Sequence, residues 1–488
     1  MTAPSPPGIR APRARILSVM RSQSIRQTAR TTGWSLLLCA CVHAPGAPSS
    51  APTATARAVE ARADADGAVA ADSTFGPRRK LRRSLERHGV TWTFSDATHV
   101  GRYVNGDWWA VGPVELVAIE PACSEQGARV RHGAMTNPDP SRRRHGYDSA
   151  VGGSLDESGY EPSANAALGV SASRPLKLQP GTSLVSAVSH PIAGQLPQLE
   201  GSAVLTVVDA APPIYAFRPP YCGDDKRSRW TAADLDLSCL AQLQPVPGAP
   251  NAGQLVAQLE RMWLDHLPGV QGRYLHPREN MPDYGRELSA LVGAAALTVN
   301  LDISPDDKRA LLIALVQLGI DVYGVVQFGG RFAADGGSGS GRKLPLLIAG
   351  TALHDDALLR AAREHGAAFG EDAQTFYVEE TAPGTCNHGH GGYVIADLGL
   401  PEWGNRHADD PSLDQKAWGA DPYRRCCTAN AWVGAVLAAR VMGLRDAWGH
   451  PALFDYQDRY MQIEQPGHWM RSWDPFAERM WDRYRDDF

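Results

Sequence analysis

The sequence predicts an α+β protein: an N-terminal antiparallel β-sandwich-like module followed by a mainly α-helical, α/α-toroid-like domain. Three observations carry this expectation. Short segments dense in β-branched and aromatic residues, separated by Gly, Pro, Asn and Asp, run between Val90 and Phe217. From Asn251 onward the apolar pattern takes the period of helices. Ahead of both lie a basic leader and a tract that cannot build a core. The expected boundaries are a leader over 1–41, a tether over 42–75, a β-rich module over 76–220, a linker over 221–250 and a helical domain over 251–488.

In the β-rich part, Thr91 to Phe94, Val114 to Ile119, Leu184 to Val188 and Ala203 to Val208 read as strands. Asn105-Gly106-Asp107 ahead of Trp108-Trp109 is a hairpin signal. The Arg-, Gly-, Ser- and Asp-rich stretch from Asn137 to Tyr160 reads as a long loop. In the helical part, Leu255, Leu259, Met262 and Trp263 share one face, and Leu288, Leu291, Val292, Ala295 and Val299 share another. Ser304-Pro305-Asp306-Asp307 is a helix start: a capping hydroxyl, a proline in the first turn, and acids at the positive end of the dipole. Further helices are expected over Ala357 to Phe369, Asn430 to Met442, Pro451 to Met461 and Pro475 to Tyr484. The connections between them are long and rich in Gly, His, Asp and Trp. A tight bundle would have short connections, so paired helices around a central cleft fit better.

Residues 1 to 33 are basic and free of Asp and Glu, and the apolar run Trp34 to Cys41 follows. A basic stretch, an apolar run and a small-residue exit make a secretory signal, with Met20 an alternative start. Leu38-Cys39-Ala40-Cys41 resembles a lipobox, in which Cys41 would be lipidated and would anchor the chain to a membrane. The expected location is therefore outside the cytoplasm, at the periplasm, outer membrane or cell surface, or secreted. Ala44 to Ser73 would form the tether. No run of 18 apolar residues follows the leader, so the sequence predicts no membrane-spanning helix. A formal charge of -5 on 488 residues gives no reason to expect a nucleic-acid partner. Of the later cysteines, Cys222 and Cys239 are expected to pair, and one of Cys426 and Cys427 could pair with Cys386.

Four loop segments concentrate reactive side chains. The first, Arg278 to Glu287, holds Asn280, Tyr284, two arginines and three acids. Arg beside Tyr and Asn suits an anionic sugar, because guanidinium grips carboxylate bidentately; the acids are equally what a solvated helix start carries. The second, Asp335 to Lys343, is glycine-rich and ends in Arg342 and Lys343. It lacks the GxxxxGK[ST] phosphate-binding pattern, and reads either as a loop bringing two cations to a cleft or as plain surface. The third, Cys386 to Tyr393, places Asn387, His388, His390 and Tyr393 among glycines. Histidine titrates near neutrality and suits acid-base work. Metal binding by His388 and His390 lacks a third ligand, and a structural turn is the bland alternative. The fourth runs from Trp403 to Arg425 and sets Tyr423 beside Arg424 and Arg425, whose charge would lower a phenol's pKa.

This combination defines a chemistry. Elimination from a uronate needs a group that neutralises the carboxylate, a base for the adjacent proton and an acid for the departing C4 oxygen. Asn280 or Asn387 could neutralise, His388 or His390 could act as base, and Tyr393 or Tyr423 as acid. Arg278, Tyr284, Arg342, Lys343, Trp403, Arg424 and Arg425 could hold an anionic chain. No cofactor is required; a structural divalent cation stays open. The layout resembles the α/α-toroid polysaccharide lyases, a group that includes alginate and heparinoid lyases. The resemblance rests on architecture and residue types from about Val90 onward, with no diagnostic signature and with the order of the two parts reversed relative to many of those enzymes. It implies β-elimination on a uronate-containing polysaccharide. Two other expectations stand beside it. One is an inverting glycoside hydrolase using two of Glu279, Asp283, Glu287, Glu371, Asp372, Glu379, Glu380 and Asp410. The other is a non-catalytic glycan-binding surface lipoprotein.

Overall fold

A computed structural model describes residues 80–150, 159–192, 198–267, 272, 275–276, 286–332, 337, 339–387, 391–404 and 424–488. The leader and Cys41 lie outside the described residues, as do Arg278, Asn280, Tyr284, His388, His390 and Tyr423.

The N-terminal part is one curled sheet followed by a helical region, the α+β arrangement the sequence predicts. Its strands are β1 (Lys80–Arg87), β2 (Val90–Arg102), β3 (Trp108–Val111), β4 (Val114–Glu120), β7 (Ala134–Thr136), β8 (Leu176–Leu178), β9 (Thr182–Ser189) and β10 (Leu199–Val208). β5 (Ser124–Gln126) and β6 (Arg129–Arg131) form a separate hairpin. The order is β7-β9-β10-β3-β2-β4-β8, with β1 paired to β2. Neighbours are antiparallel except β10 and β3, which run parallel. Asn105-Gly106-Asp107 turns β2 into β3, with Arg102 opposite Trp108. Register shifts between Arg82 and Ser84 and between Thr93 and Phe94 interrupt the ladders along β2, and such bulges bend a strand.

Side-chain alternation explains where this sheet sits. Leu184 of β9 and Ala203, Leu205 and Val207 of β10 point into the sheet's own core with Trp92, Phe94, Trp108 and Leu116. Val185 of β9 and Val204 of β10 point the other way, into a core shared with the helices. Both faces of the central strands are therefore apolar, as expected of strands covered on both sides.

The helices are α1 (Ala252–Leu259), α2 (Arg286–Val299), α3 (Pro305–Gln327), α4 (Lys343–Ala352), α5 (Asp356–Glu364), α6 (Gly370–Gln374), α7 (Ala429–Val441), α8 (Arg445–Trp448), α9 (Pro451–Ile463) and α10 (Pro475–Tyr484). Between α6 and α7 come β11 (Thr375–Tyr377), β12 (Glu380–Ala382), β13 (Thr385–Cys386) and β14 (Pro401–Trp403). α1 stops at Leu259, short of Met262 and Trp263, which are nevertheless buried. The Ser304 hydroxyl caps α3 by accepting from the Asp307 amide. At 23 residues α3 is long and apolar enough to span a membrane, but 78% of its most apolar window is buried. It is the core helix, packed against α1, α2, α4 and α5. α2 and α7 meet through Gly293 and Gly434: a Cβ on Gly293 would fall 2.7 Å from the Ala435 nitrogen, so only backbone fits.

Sheet and helices are joined by charge as well. Arg218, 2% exposed, donates from Nε to Asp107 Oδ2 at 2.7 Å and from both terminal nitrogens to Asp321 on α3, at 2.9 and 2.5 Å. Its backbone exchanges two hydrogen bonds with the Gln317 side chain. Burial works to raise the Asp107 carboxyl, yet Arg218 and Arg87 hold it below the usual carboxylate range. Cys222 and Cys239 are not bonded to each other, nor is Cys386 to either late cysteine; among the described residues the bonded pair is the adjacent Cys426 and Cys427. The Cys222 thiol is instead packed into the shared apolar core, and Cys239 donates to the Asp236 carbonyl at 3.0 Å.

Arg218→Leu strands the buried Asp321 carboxylate and leaves Asp107 with Arg87 as its cation, and should cost about 3–5 kcal/mol of stability. Urea unfolding of the variant beside an exposed-site control such as Arg227→Leu checks this; equal midpoints would show that the cluster does not hold the two parts together.

Candidate functional site

The flanks of the four reactive segments converge on one short stretch, the π-helical turn Arg424–Thr428 that leads into α7. Arg286, next to last in the first segment, donates to the Cys426 carbonyl oxygen and from Nε to Glu287 at 3.2 Å. Gly337, in the second segment, lies with positive φ against the same turn. A Cβ there would sit 1.9 Å from the Cys427 oxygen. Ser340 Oγ accepts from Trp432 Nε1 of α7 at 3.0 Å. From the third segment the Tyr393 hydroxyl donates to Glu402 Oε2 at 3.3 Å. Arg424 donates to Glu402 Oε1 at 3.5 Å, and Arg459 donates to the same oxygen. Tyr393 and Arg424, placed in separate segments by the sequence, thus share one carboxylate.

Each predicted cation among the described residues pairs with a carboxylate of the chain itself. Arg342, 3% exposed, donates to Asp265 at 3.0 Å and to the Ser340 carbonyl at 2.7 Å, with its guanidinium 5.6 Å from the Trp263 ring. Lys343, 1% exposed, pairs with Asp372, which also accepts from Trp448 Nε1 at 2.7 Å. Arg424 stacks between Trp403 and Tyr456, 5.3 and 5.9 Å from their centroids. Arg425 pairs with Glu464 at 2.6 Å. A buried cation requires a matched anion, so these contacts make the four part of the protein's framework. Asn387 adopts a positive φ of 45° and exchanges two hydrogen bonds with the Glu379 backbone. Its Nδ2 and the Trp403 Nε1 are buried and have no hydrogen-bond partner among the described residues. An amide nitrogen left with unspent donors suits the neutraliser's part.

The electrostatics separate the acids and bases. Burial, then the neighbouring Glu402 carboxylate, pushes the Tyr393 phenol well above its ordinary value, so it keeps its proton at neutral pH. Burial, then the charge of Asp372, pushes Glu371 up to about 7. Glu371 Oε1 accepts from the Gly341 amide at 3.4 Å, while Oε2 has no partner among the described residues. A carboxyl that titrates near neutrality can exchange a proton there.

Glu402, Asp265 and a buried histidine pair are absent from the sequence-based expectation. His266 lies between Tyr147 and Tyr221, whose hydroxyls are 3.1 Å from its Nε2 and Nδ1; burial, then His145, pushes it down to about 3. His276 reaches Asp265 at 3.5 Å. Burial works to raise Asp265, but Arg342 and His276 hold it well below the usual range. Asp265 and Arg342 are 77 positions apart, and no local pattern joins them. The faint signal for Glu402 is its place one residue before Trp403 in a short strand. Among the described residues no group of three or more His, Cys, Asp or Glu is set to hold a metal ion. Compared with protein-family models, with curated proteins and with solved structures, the chain gives no match.

Folded Glu371 holds its proton up to about pH 7, whereas the unfolded chain releases it near the ordinary carboxyl value of 4.5. Stability should therefore fall as pH rises between those values, by on the order of 3 kcal/mol, and level off above. Glu371→Gln should flatten that slope. Urea midpoints measured from pH 4 to 8 on both proteins test it, and parallel profiles would remove Glu371 as the titrating group.

Proposed function

We propose that the protein is an exported carbohydrate-active enzyme, a lyase that cleaves a uronate-containing polysaccharide by β-elimination. The observation that supports this is the meeting of the described flanks of the four segments at Arg424–Thr428, through Arg286, Gly337 and, by way of Glu402, Tyr393. In this reading His388 or His390 removes the proton next to the uronate carboxyl, and the Asn387 amide binds that carboxylate as negative charge builds on it. Tyr393, which holds its proton, passes it to the leaving C4 oxygen. The C–O bond electrons depart with that oxygen, and a C4–C5 double bond remains. Elimination with no water added distinguishes this step from hydrolysis. Asn280 and Tyr423 are the alternative neutraliser and acid; Arg278 and Tyr284 would grip the chain. The cysteine at position 41 would tie the enzyme to a membrane surface.

Glu371 favours a second reading, an inverting hydrolase with that residue as acid. Its raised pKa gives it the proton such an enzyme needs at neutral pH.

The product decides between the two. Incubation with a panel of uronate polysaccharides should raise absorbance in the near ultraviolet, where the unsaturated sugar absorbs. His388→Ala and His390→Ala, made singly and together, should lower that rate by roughly 100-fold or more, the usual share of a general base. New reducing ends without absorbance would overturn elimination and, if lost in Glu371→Gln, establish hydrolysis.

A further inference from the structure

Trp469 is 40% exposed, a large apolar ring held out to solvent. The loop that carries it, between α9 and α10, is nevertheless fastened at many points. Arg471, 6% exposed, donates to the Met461 carbonyl at 3.1 Å, to Glu478 at 2.6 Å and to Asp482 at 2.7 Å. The Tyr460 hydroxyl donates to the Met470 carbonyl, and the Gly467 amide to Glu478 at 2.9 Å. Asn430, in the first turn of α7, donates to the Trp469 carbonyl at 3.4 Å and accepts from the Trp473 amide at 2.8 Å. An exposed ring on a loop this well tied loses little conformational freedom when it binds something.

The ring also belongs to a cluster that reaches the turn where the four segments meet. Trp469 lies edge-on to Trp473 with centroids 6.3 Å apart. The Arg286 guanidinium lies over Trp473 at 3.7 Å and donates to the Cys426 carbonyl. From solvent inward the order is Trp469, Trp473, Arg286, Cys426. A pyranose presents one face of C–H groups, which packs on an indole face, and a rim of hydroxyls that stay wet. A site combining a wet rim with an apolar face is what an amphipathic indole supplies.

We infer that Trp469, backed by Trp473 and Arg286, is a platform for a sugar ring of the polysaccharide, a binding subsite on the flank of the Arg424–Thr428 turn. This rests on the reading of the protein as a carbohydrate-active enzyme and adds a substrate-positioning surface to it. The platform positions the chain and takes no part in proton transfer, so its loss acts on substrate capture.

The test is steady-state kinetics of the full chain on the uronate polysaccharide that it cleaves, comparing wild type with Trp469→Ala and Trp469→Phe. Thermal unfolding of all three confirms an intact fold, as an exposed side chain predicts. Trp469→Ala should raise KM roughly tenfold, and Trp469→Phe, which keeps an aromatic face, should restore most of the loss; kcat should stay within about twofold. Cleavage by wild type with an unchanged KM in Trp469→Ala overturns the platform and leaves the enzyme reading standing. A fall in kcat with KM unchanged overturns it equally. A wild-type chain that neither cleaves nor binds any polysaccharide of the panel removes the enzyme reading, and the platform with it.

Discussion

A guanidinium taken out of water must find its anions inside the protein, and this requirement sets the framework of the molecule. Arg218 finds two, one in the turn before β3 and one in the C-terminal half of α3. Because its planar fork satisfies both carboxylates at once, the sheet cannot slide along α3 without leaving a charge unpaired. The apolar core shared by Val185, Val204 and the helices supplies attraction without direction; the ionic contact supplies the register.

The same arrangement recurs among the described flanks of the reactive segments. Asp265 with Arg342, Asp372 with Lys343 and Glu402 with Arg424 each join residues far apart in the chain, beside an aromatic ring. The result is a stiff floor of paired charge. Chemistry on loops needs such a base, since a reacting group displaced by an ångström loses most of its effect. The proposed roles of Asn387 and Tyr393 depend on it: one is held by the Glu379 backbone, the other by Glu402.

What could be read in the sequence follows from the range of the interactions. Strands β4 and β10 and helices α3 and α10 declare themselves by alternation, period and caps, which act over a few residues. The four reactive segments are visible as composition. Their convergence is not, because Arg286 and Cys426 are 140 positions apart. For the same reason Arg342 and Lys343 read as solvent-facing cations: in a glycine loop nothing marks them as buried, and their partners Asp265 and Asp372 lie in other elements. The expected Cys222–Cys239 bridge failed on a related point, since spacing alone says nothing about which way two side chains face. Trp469 and Trp473 escaped notice because an exposed tryptophan and a core one look alike in a sequence.

The contact between Gly293 and Gly434 carries a mechanical meaning. Where Gly293 faces Gly434, α2 and α7 touch backbone to backbone, and at that crossing no rotamer change can absorb a relative shift. α2 follows the first reactive segment and α7 follows the turn that ends the fourth. The two helices therefore form a common strut, and a displacement of one is passed directly to the other.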